Sequence, residues 1–406
     1  MMAQMKHRIL SFVMSAAAAL SLMAPLTTTA YALNVNDPKP GQQTFNVRDK
    51  NSSSSEPKIN IKNGSSSSKK VQIKDSGSSS SASPKINVKS SGNAGSGGRD
   101  GDTFSVAKIK EYAKEIDNVS DDFLKVIRNK STISLSQFED YAVKYKLPIE
   151  LIQRFYDDRF VFKSGNKFQF ISLDPNLSRN VYDWDNLVYK DNNEVKYVRD
   201  GASRALKGID VSTHQGTIDW KKVKNDGVKF AMIRVGYRGY GTGKIMLDDQ
   251  FKRNIKNATA NGIKVGVYFY SQAITTKEAV EEAEFVLDNI KGYDIDYPVV
   301  FDIEDAPSAS ARTRSLTASK ATQVAKAFCE RIEQGGYRPM IYTYTKYFVT
   351  EINMGSLTKY DKWVAQYYKR PFFPYKFQML QYTSKGKVDG IKGNVDMNLC
   401  FTSYPK

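Results

Sequence analysis

Val299-Val-Phe-Asp302-Ile-Glu304-Asp305 is an apolar run that ends in carboxylates. A continuous apolar run of this length is typical of a strand buried on both faces in a parallel sheet. Asp302 and Glu304 stand at positions i and i+2, so their side chains point to the same face. At a rise of about 3.3 Å per residue, their Cα atoms lie roughly 6.6 Å apart. Such a pair is either an acidic strand cap that faces solvent or a catalytic pair.

The pattern around this stretch alternates between strands and helices. Amphipathic helices are predicted near 248–261, 276–291 and 319–334. Eight strands are predicted in about 199 residues, which indicates a single (β/α) barrel with reduced final helices. A doubly wound sheet is the alternative, but no Gly-rich phosphate loop follows the first strand. The predicted strands are Gly208–Val211, Phe230–Val235, Lys264–Ser271, Pro298–Glu304, Met340–Tyr344, Trp363–Tyr367, Phe377–Tyr382 and Asn394–Asn398.

Further carboxylates stand in the first and last of these strands. Asp210 lies in the first strand and Asp396 in the last. If the barrel closes, these strands are neighbours, and both side chains point into one acidic pocket with Asp302 and Glu304. Crowded like charges raise the pKa of at least one member, as a proton donor near neutral pH requires.

The first 207 residues divide into three segments. Residues 1–32 have the basic, apolar and small-residue order of a signal peptide, so we expect a protein secreted and associated with the cell wall. The apolar run, at 16 residues, is shorter than the roughly 20 that span a bilayer, so we expect no membrane contact after cleavage. Residues 33–102 predict a disordered Ser/Lys/Gly-rich linker with short repeats and a net charge of +5; it is either a plain spacer or a set of anchors on anionic wall polymers.

Residues 103–207 predict a small α+β domain of unassigned role. Apolar residues at helical spacing predict helices around Val106, after Ser120 and around Phe138, with a fourth beginning at Pro148. Alternating phenylalanines on both sides of 164–166 predict a hairpin. The element order resembles a winged helix, but near-neutral local charge and export make nucleic acid an improbable partner, and a wall-binding or spacing role fits better.

Composition excludes several hydrolase classes. The net charge is +17 and the chain has two histidines, of which only His214 remains after signal removal. A zinc site usually needs three or four ligands with His or Cys prominent, so we expect no metal and no cofactor. Cys329 lies in a predicted helix and Cys400 near the end, so a Cys–His nucleophile pair is disfavoured. By elimination, any hydrolytic chemistry must depend on carboxylates. The two cysteines form either one disulfide or two buried thiols.

Several motifs in order resemble glycoside hydrolase family 25, the Chalaropsis-type lysozymes or muramidases. The resemblance covers essentially all of 208–403. It implies an irregular (β/α) TIM-like barrel over 208–406 and cleavage of the β-1,4 bond between N-acetylmuramic acid and N-acetylglucosamine in peptidoglycan. The motifs are Gly208-Ile-Asp210-Val-Ser-Thr-His-Gln215-Gly216-Thr-Ile-Asp-Trp220, Phe230-Ala-Met-Ile-Arg-Val-Gly236, Gly266-Val-Tyr268-Phe-Tyr270, Asp302-Ile-Glu304, Ile341-Tyr-Thr-Tyr344, Trp363-Val-Ala-Gln366-Tyr367, Gln381-Tyr382 and Asn394-Val-Asp396-Met-Asn398.

The resemblance also implies roles by position. Glu304 would donate the proton, and Asp302 would stabilise or orient the reacting sugar. Asp210 and Asp396 would complete an acidic floor. Strand-end aromatic rings either stack on sugars or belong to the core, and His214 either orients Asp210, contacts substrate or fixes its loop. The candidate substrate-binding residues are Tyr268, Tyr270, Gln215, His214, Tyr344, Trp363, Gln366, Tyr367, Gln381 and Asn398.

Two questions stay open at the level of sequence. The route is retaining, inverting or assisted by the substrate's own acetamido group, since adjacent i and i+2 carboxylates give intermediate separations. The alternative function is a non-catalytic wall-binding or adhesive protein built on the same barrel. We expect a monomer whose partner is the glycan strand of peptidoglycan.

Overall fold

The computed structural model of the protein describes residues 102–306 and 308–404. The predicted signal peptide and nearly all of the predicted linker lie outside the described residues. Within the described ranges, no helix combines the length and apolar character that a membrane crossing requires.

The second half of the chain has a mixed α/β fold around a closed barrel of eight strands. Each barrel strand pairs with the next barrel strand along the chain, and the last strand also pairs with the first, which closes the barrel. Each predicted strand is present with somewhat different bounds. The strands are β8 Leu206–Val211, β9 Phe230–Arg238, β11 Lys264–Ser271, β12 Val299–Ile303, β13 Pro339–Tyr344, β14 Asp361–Ala365, β15 Met379–Gly386 and β16 Val395–Cys400, and β10 Ile245–Leu247 forms a hairpin with β9.

The last strand runs against its neighbours. Strands β8 to β15 of the barrel pair in parallel, whereas β16 is antiparallel to both β15 and β8. A parallel connection needs a crossover of a dozen or more residues, and only residues 387–394 separate β15 from β16. The short spacing seen in the sequence therefore decides strand direction as well as helix content.

Five helices surround the barrel strands. The three long ones match the predicted helices. Two of them have threonine N-caps, Thr275 and Thr317, which accept hydrogen bonds from backbone N–H groups in the first turn. Two short helices were not predicted, because six residues carry too little periodicity. The helices are Trp220–Asn225, Phe251–Ala260, Thr276–Ile290, Ala318–Gln334 and Thr345–Thr350.

An N-terminal helical unit has a hydrophobic core of its own. Its centre is formed by Ile109, Phe123 and Phe138, which are fully buried. The four predicted helices are present, and Ser120 caps the second through its side chain. The unit contains helices Val106–Ala113, Asp121–Ile127, Leu135–Lys144 and Ile149–Gln153, the short strands β1 Thr103–Ser105 and β2 Thr132–Ser134, and the hairpin strands β3 Arg159–Ser164 and β4 Lys167–Ser172.

The segment between this unit and the barrel packs against the barrel. It forms a small sheet of β5 Leu187–Tyr189, β6 Val195–Arg199 and β7 Ala202–Ser203. Trp184 and Tyr197 belong to the same buried cluster as the barrel strands. The predicted boundary at residue 207 stays a prediction, but the apolar contacts of this segment are with the barrel.

Candidate active site

The four predicted carboxylates meet at one end of the barrel. Asp302 is the penultimate residue of β12 and Glu304 directly follows this strand, while antiparallel pairing of β16 with β8 places Asp396 directly opposite Asp210. The pocket between them encloses about 330 Å³ of space that is partly open to solvent. Barrel enzymes keep their active sites at the carboxyl end of the strands. The lining residues are Asp210, Tyr268, Tyr270, Asp302, Glu304, Tyr342, Trp363, Gln381 and Asp396.

Two amides hold Asp210 in place. Gln381 Nε2 and Asn398 Nδ2 donate to Asp210 Oδ2 at 2.9 and 2.8 Å. Asn398 is itself oriented by Trp363 Nε1, which donates to Asn398 Oδ1 at 2.8 Å. Burial raises the pKa of Asp210 to about 6, although these amide donors favour the ionised form. Asp396 is half-buried and shares a hydrogen bond with Asp210.

Asp302 and Glu304 are both 6% exposed. Burial, followed by the charge on Asp302, raises the pKa of Glu304 well above its usual range, and a hydrogen bond with Tyr342 acts in the opposite direction. Burial and the charge on Asp210 raise the pKa of Asp302, whereas the Arg234 guanidinium lowers it. Asp302 Oδ1 is buried and makes no hydrogen bond within the described residues, so it is oriented for a partner other than the protein's own groups.

Arg234 is a site residue that sequence reasoning did not identify. It is 2% exposed within the apolar strand β9, and its Nε donates to Asp248 Oδ2 at 2.8 Å. The same oxygen accepts from the backbone N–H of Thr213 at 3.0 Å, so the pair also holds the loop after β8. The sequence did contain a signal for it, because a charged residue within an apolar strand, such as Arg234 or Asp302, indicates a functional or structural role.

Tyr342 is the second residue that was missed. Its hydroxyl donates to Gln381 Oε1 at 2.8 Å, and Tyr367 donates to the same oxygen at 2.5 Å. Gln381 therefore links two tyrosines to Asp210. The sequence argument named Tyr344, and Tyr342 is two residues before it on the same strand face.

Six predicted substrate-binding residues lie outside the pocket lining, and two of them, Tyr367 and Asn398, hydrogen-bond to residues that belong to it. Tyr344 donates to Asp305 Oδ2 at 2.7 Å. Gln215 Oε1 accepts from the backbone N–H of Ser212 and closes a capping box, with the exposed His214 in the same turn. Gln366 faces a different cavity, described below. Their roles in substrate binding stay predictions.

The other candidate chemistry was a metal site or reactive thiols. Within residues 102–306 and 308–404, no group of three or more His, Cys, Asp or Glu side chains is arranged to hold a metal ion. Cys329 and Cys400 are two free, buried thiols, which answers the question that the sequence left open. Burial raises the pKa of the Cys400 thiol to about 12, so it is protonated at neutral pH.

The pocket thus provides two neighbouring carboxyl groups whose pKa values are raised by burial, a cationic group, Arg234, that lowers the pKa of Asp302 alone of the two, and aromatic walls. Proton donation to a leaving oxygen and stabilisation of developing positive charge are the two requirements of glycosidic bond cleavage. Tyr268 meets Trp363 edge to face, with ring centroids 6.2 Å apart. The Tyr268 ring packs against Trp363, and the Trp363 ring is hydrogen-bonded to Asn398, so both aromatic walls of the pocket are fixed by contacts.

Comparison with known proteins also indicates a glycosidase. The sequence profile of Glycosyl hydrolases family 25 matches residues 209–391. The chain is 30% identical over 210 residues to the uncharacterized protein YegX of Escherichia coli K12, which covers 50% of this chain and 72% of YegX. It is 31% identical over 203 residues to lysozyme M1 of Streptomyces globisporus, covering 48% and 67% of the two chains. Among solved structures, the bacterial lysozyme from Streptomyces coelicolor is 30% identical with a TM-score of 0.43, covering 49% of this chain and 93% of that chain. This chain therefore belongs to glycosyl hydrolase family 25.

Proposed function

We propose that the protein is a muramidase that hydrolyses the β-1,4 bond between N-acetylmuramic acid and N-acetylglucosamine in peptidoglycan. The observation that carries the proposal is the unequal environment of two neighbouring carboxyl groups. Burial favours the proton on both, but the cation of Arg234 acts on Asp302. Membership of the family and the similarity to a protein named lysozyme M1 support the same substrate class.

In this mechanism Glu304 is the general acid. When one of two coupled carboxyl groups ionises, the charge remains where a cation offsets it. Asp302 is therefore the carboxylate of the pair, and Glu304 keeps the proton that the glycosidic oxygen takes as the bond breaks. This division of labour between two carboxyl groups set apart by their surroundings is a general pattern in glycosidases.

Asp302 then acts on the sugar rather than on the leaving group. Asp302 lines the pocket, and its Oδ1 has no hydrogen-bond partner among the described residues. An anionic oxygen at this position stabilises an oxocarbenium-like transition state. In the route we favour, the same oxygen orients the substrate's acetamido group for attack on the anomeric carbon. Asp210, held by two amides, and Asp396 complete the acidic floor.

The proposal also includes the type of barrel and the location in which the protein acts. The barrel is of the TIM-like type, with reduced last helices and one reversed strand. The protein acts outside the cell as a monomer, with the cationic segment over 33–102 retained on anionic wall polymers. These statements depend on the composition of 1–102 and on the connections after β14.

The decisive experiment is mass spectrometry of the products released from whole sacculi by the full chain. New reducing ends on N-acetylmuramic acid would establish the proposed bond, and reducing ends on N-acetylglucosamine would show a different specificity. Glu304→Gln protein is the matched control for contaminating activity. A folded protein that releases no glycan fragment between pH 4 and 8 would favour the non-catalytic wall-binding alternative.

A further inference from the structure

A second cavity lies between the N-terminal helical unit and the barrel. We call it the interface pocket. It encloses about 260 Å³ that is partly open to solvent, comparable with the catalytic pocket. The helical unit contributes part of hairpin strand β3, and the barrel contributes the segments after β13 and β14. The lining residues on which the argument depends are Phe160, Phe162, Lys346, Gln366, Tyr368 and Phe372.

The interface pocket opens on the same end of the barrel as the catalytic pocket. Gln366 lines the interface pocket, while its neighbour Tyr367 donates to Gln381 in the catalytic pocket. Thr345 lines the interface pocket too, and it follows Tyr344, whose hydroxyl donates to Asp305. Consecutive Cα atoms are about 3.8 Å apart. The backbone N–H of Gln366 also donates to the carbonyl oxygen of Gln381 at 3.0 Å, and Gln381 lines the catalytic pocket, so the two pockets share a wall at this contact.

Gln366 lines the interface pocket and carries a side-chain donor that no described residue uses. Its Oε1 accepts from the backbone N–H groups of Phe372 and Phe373 at 2.7 and 3.1 Å, which identifies the other terminal atom as the amide nitrogen. The residue is 1% exposed, and its Nε2 is buried without a hydrogen-bond partner in the described part of the chain. Buried polar groups are nearly always hydrogen-bonded, so this donor points to an acceptor oxygen on a ligand.

The remaining walls are aromatic and basic. Phe160 stacks near Phe162 at 6.3 Å and near Phe372 at 6.1 Å between ring centroids. Lys346 Nζ lies 5.5 Å from the centre of the Phe162 ring. No Asp or Glu is among the described residues that line the interface pocket. The lining therefore suits an anionic ligand with small apolar groups and an amide or carboxylate oxygen.

We propose that the interface pocket binds the short acidic peptide that peptidoglycan carries on the lactyl group of muramic acid. This inference rests on the proposed function. A peptide of this kind supplies a carbonyl oxygen for Gln366, methyl groups for the phenylalanine rings and a carboxylate for Lys346. It is also tethered to the sugar that would occupy the catalytic pocket, just across the shared wall. The helical unit would then be a specificity element that favours peptide-bearing strands over denuded ones.

The first experiment measures binding without turnover. The probe is the tetrapeptide L-Ala-γ-D-Glu-L-Lys-D-Ala, titrated into the full chain carrying Glu304→Gln and followed by NMR and calorimetry. We expect shifts at Phe162 and binding that weakens about fivefold with an added Lys346→Met change, the upper range for an exposed ion pair. Lys326→Met is the matched control, since Lys326 pairs with Glu330 on the helix Ala318–Gln334 and neither residue lines the interface pocket. Absence of peptide binding at millimolar concentration would overturn the inference, as would shifts at Phe162 caused only by a peptide-free glycan.

The second experiment compares hydrolysis of peptide-bearing tetrasaccharides with the same glycans after amidase treatment. Wild type should show a lower KM for the peptide-bearing substrate, and Phe162→Leu or Lys346→Met should remove that preference while retaining hydrolysis of the denuded glycan. Equal KM values in wild type would refute the inference and leave the muramidase assignment intact. Peptide binding without hydrolysis of either substrate would refute the muramidase assignment and leave the peptide site.

Discussion

Replacing Glu304 by Gln should abolish most of the hydrolysis while leaving substrate binding in place. The side chain is 6% exposed, and burial together with the Asp302 charge holds its pKa well above the usual range. Burial therefore favours the neutral form of Glu304, and Gln, which is neutral and nearly isosteric, reproduces the charge and volume of that form. Only the transferable proton is lost.

The expected loss is about 10²–10⁴-fold in kcat, the usual contribution of a general acid. At about 1.4 kcal/mol per decade, this corresponds to roughly 3–5.5 kcal/mol of transition-state stabilisation. KM should change little, because the ground-state pocket is unaltered. The pH profile supplies a second readout: the wild-type rate falls as rising pH removes the Glu304 proton, and this alkaline limb should be missing in the variant.

The assay is reducing-end release from purified peptidoglycan at several pH values, with thermal unfolding to confirm the fold. Asp305→Asn is the matched control, because Asp305 is the adjacent, exposed carboxylate that Tyr344 contacts. It should retain activity within about threefold, as expected for surface changes. Retention of more than about a tenth of wild-type activity by Glu304→Gln would falsify the assignment, and the donor would then be sought among Asp210, Asp305 and Asp396.

Three further predictions concern the charge pair, the barrel packing and the N-terminal segment. Arg234→Met should lower the free energy of unfolding by about 3–5 kcal/mol, because it leaves the buried Asp248 without its cation; a melting temperature equal to that of Arg234→Lys would contradict this. Gly208→Ala should cost about 1–3 kcal/mol, since a Cβ there would lie 2.0 Å from Phe230 Cζ, whereas Gly241→Ala, with nothing within 4 Å, should leave chemical denaturation unchanged. Deleting 33–102, which has a net charge of +5, should weaken co-sedimentation with intact walls at low salt and leave turnover of soluble fragments unchanged. Because charges are screened within about 8 Å at physiological ionic strength, the difference should disappear there. Equal wall binding by both proteins at low salt would disprove the idea.

The elements of the barrel were predictable because their signals are local. The run 299–301 is apolar throughout, and the period of two in a strand places Asp302 and Glu304 on one face whatever the rest of the chain does. The long helices carry enough turns for their periodicity to show. Short elements such as Thr345–Thr350 escape prediction, since a helix of six residues depends on tertiary packing more than on propensity.

The residues that tune the chemistry became visible only with the tertiary structure. The sequence predicted that Asp210 and Asp396 share a pocket, but their directly opposite register comes from the antiparallel pairing of β16 with β8. The effect of Arg234 on the pKa of Asp302 depends likewise on tertiary packing, which buries both side chains. Contacts between residues this far apart along the chain leave no periodic pattern in the sequence, so sequence analysis cannot predict them. The same holds for the pairing of Phe160 with Phe372, which turns two separate stretches into one pocket wall.

The sequence alone determined the strand-end carboxylates, through the two-residue period of a strand, and the family resemblance, through the order of its motifs. The environment that raises the pKa of Glu304, and the interface pocket, were decided by long-range packing, because packing determines which groups lose water and which residues come into contact.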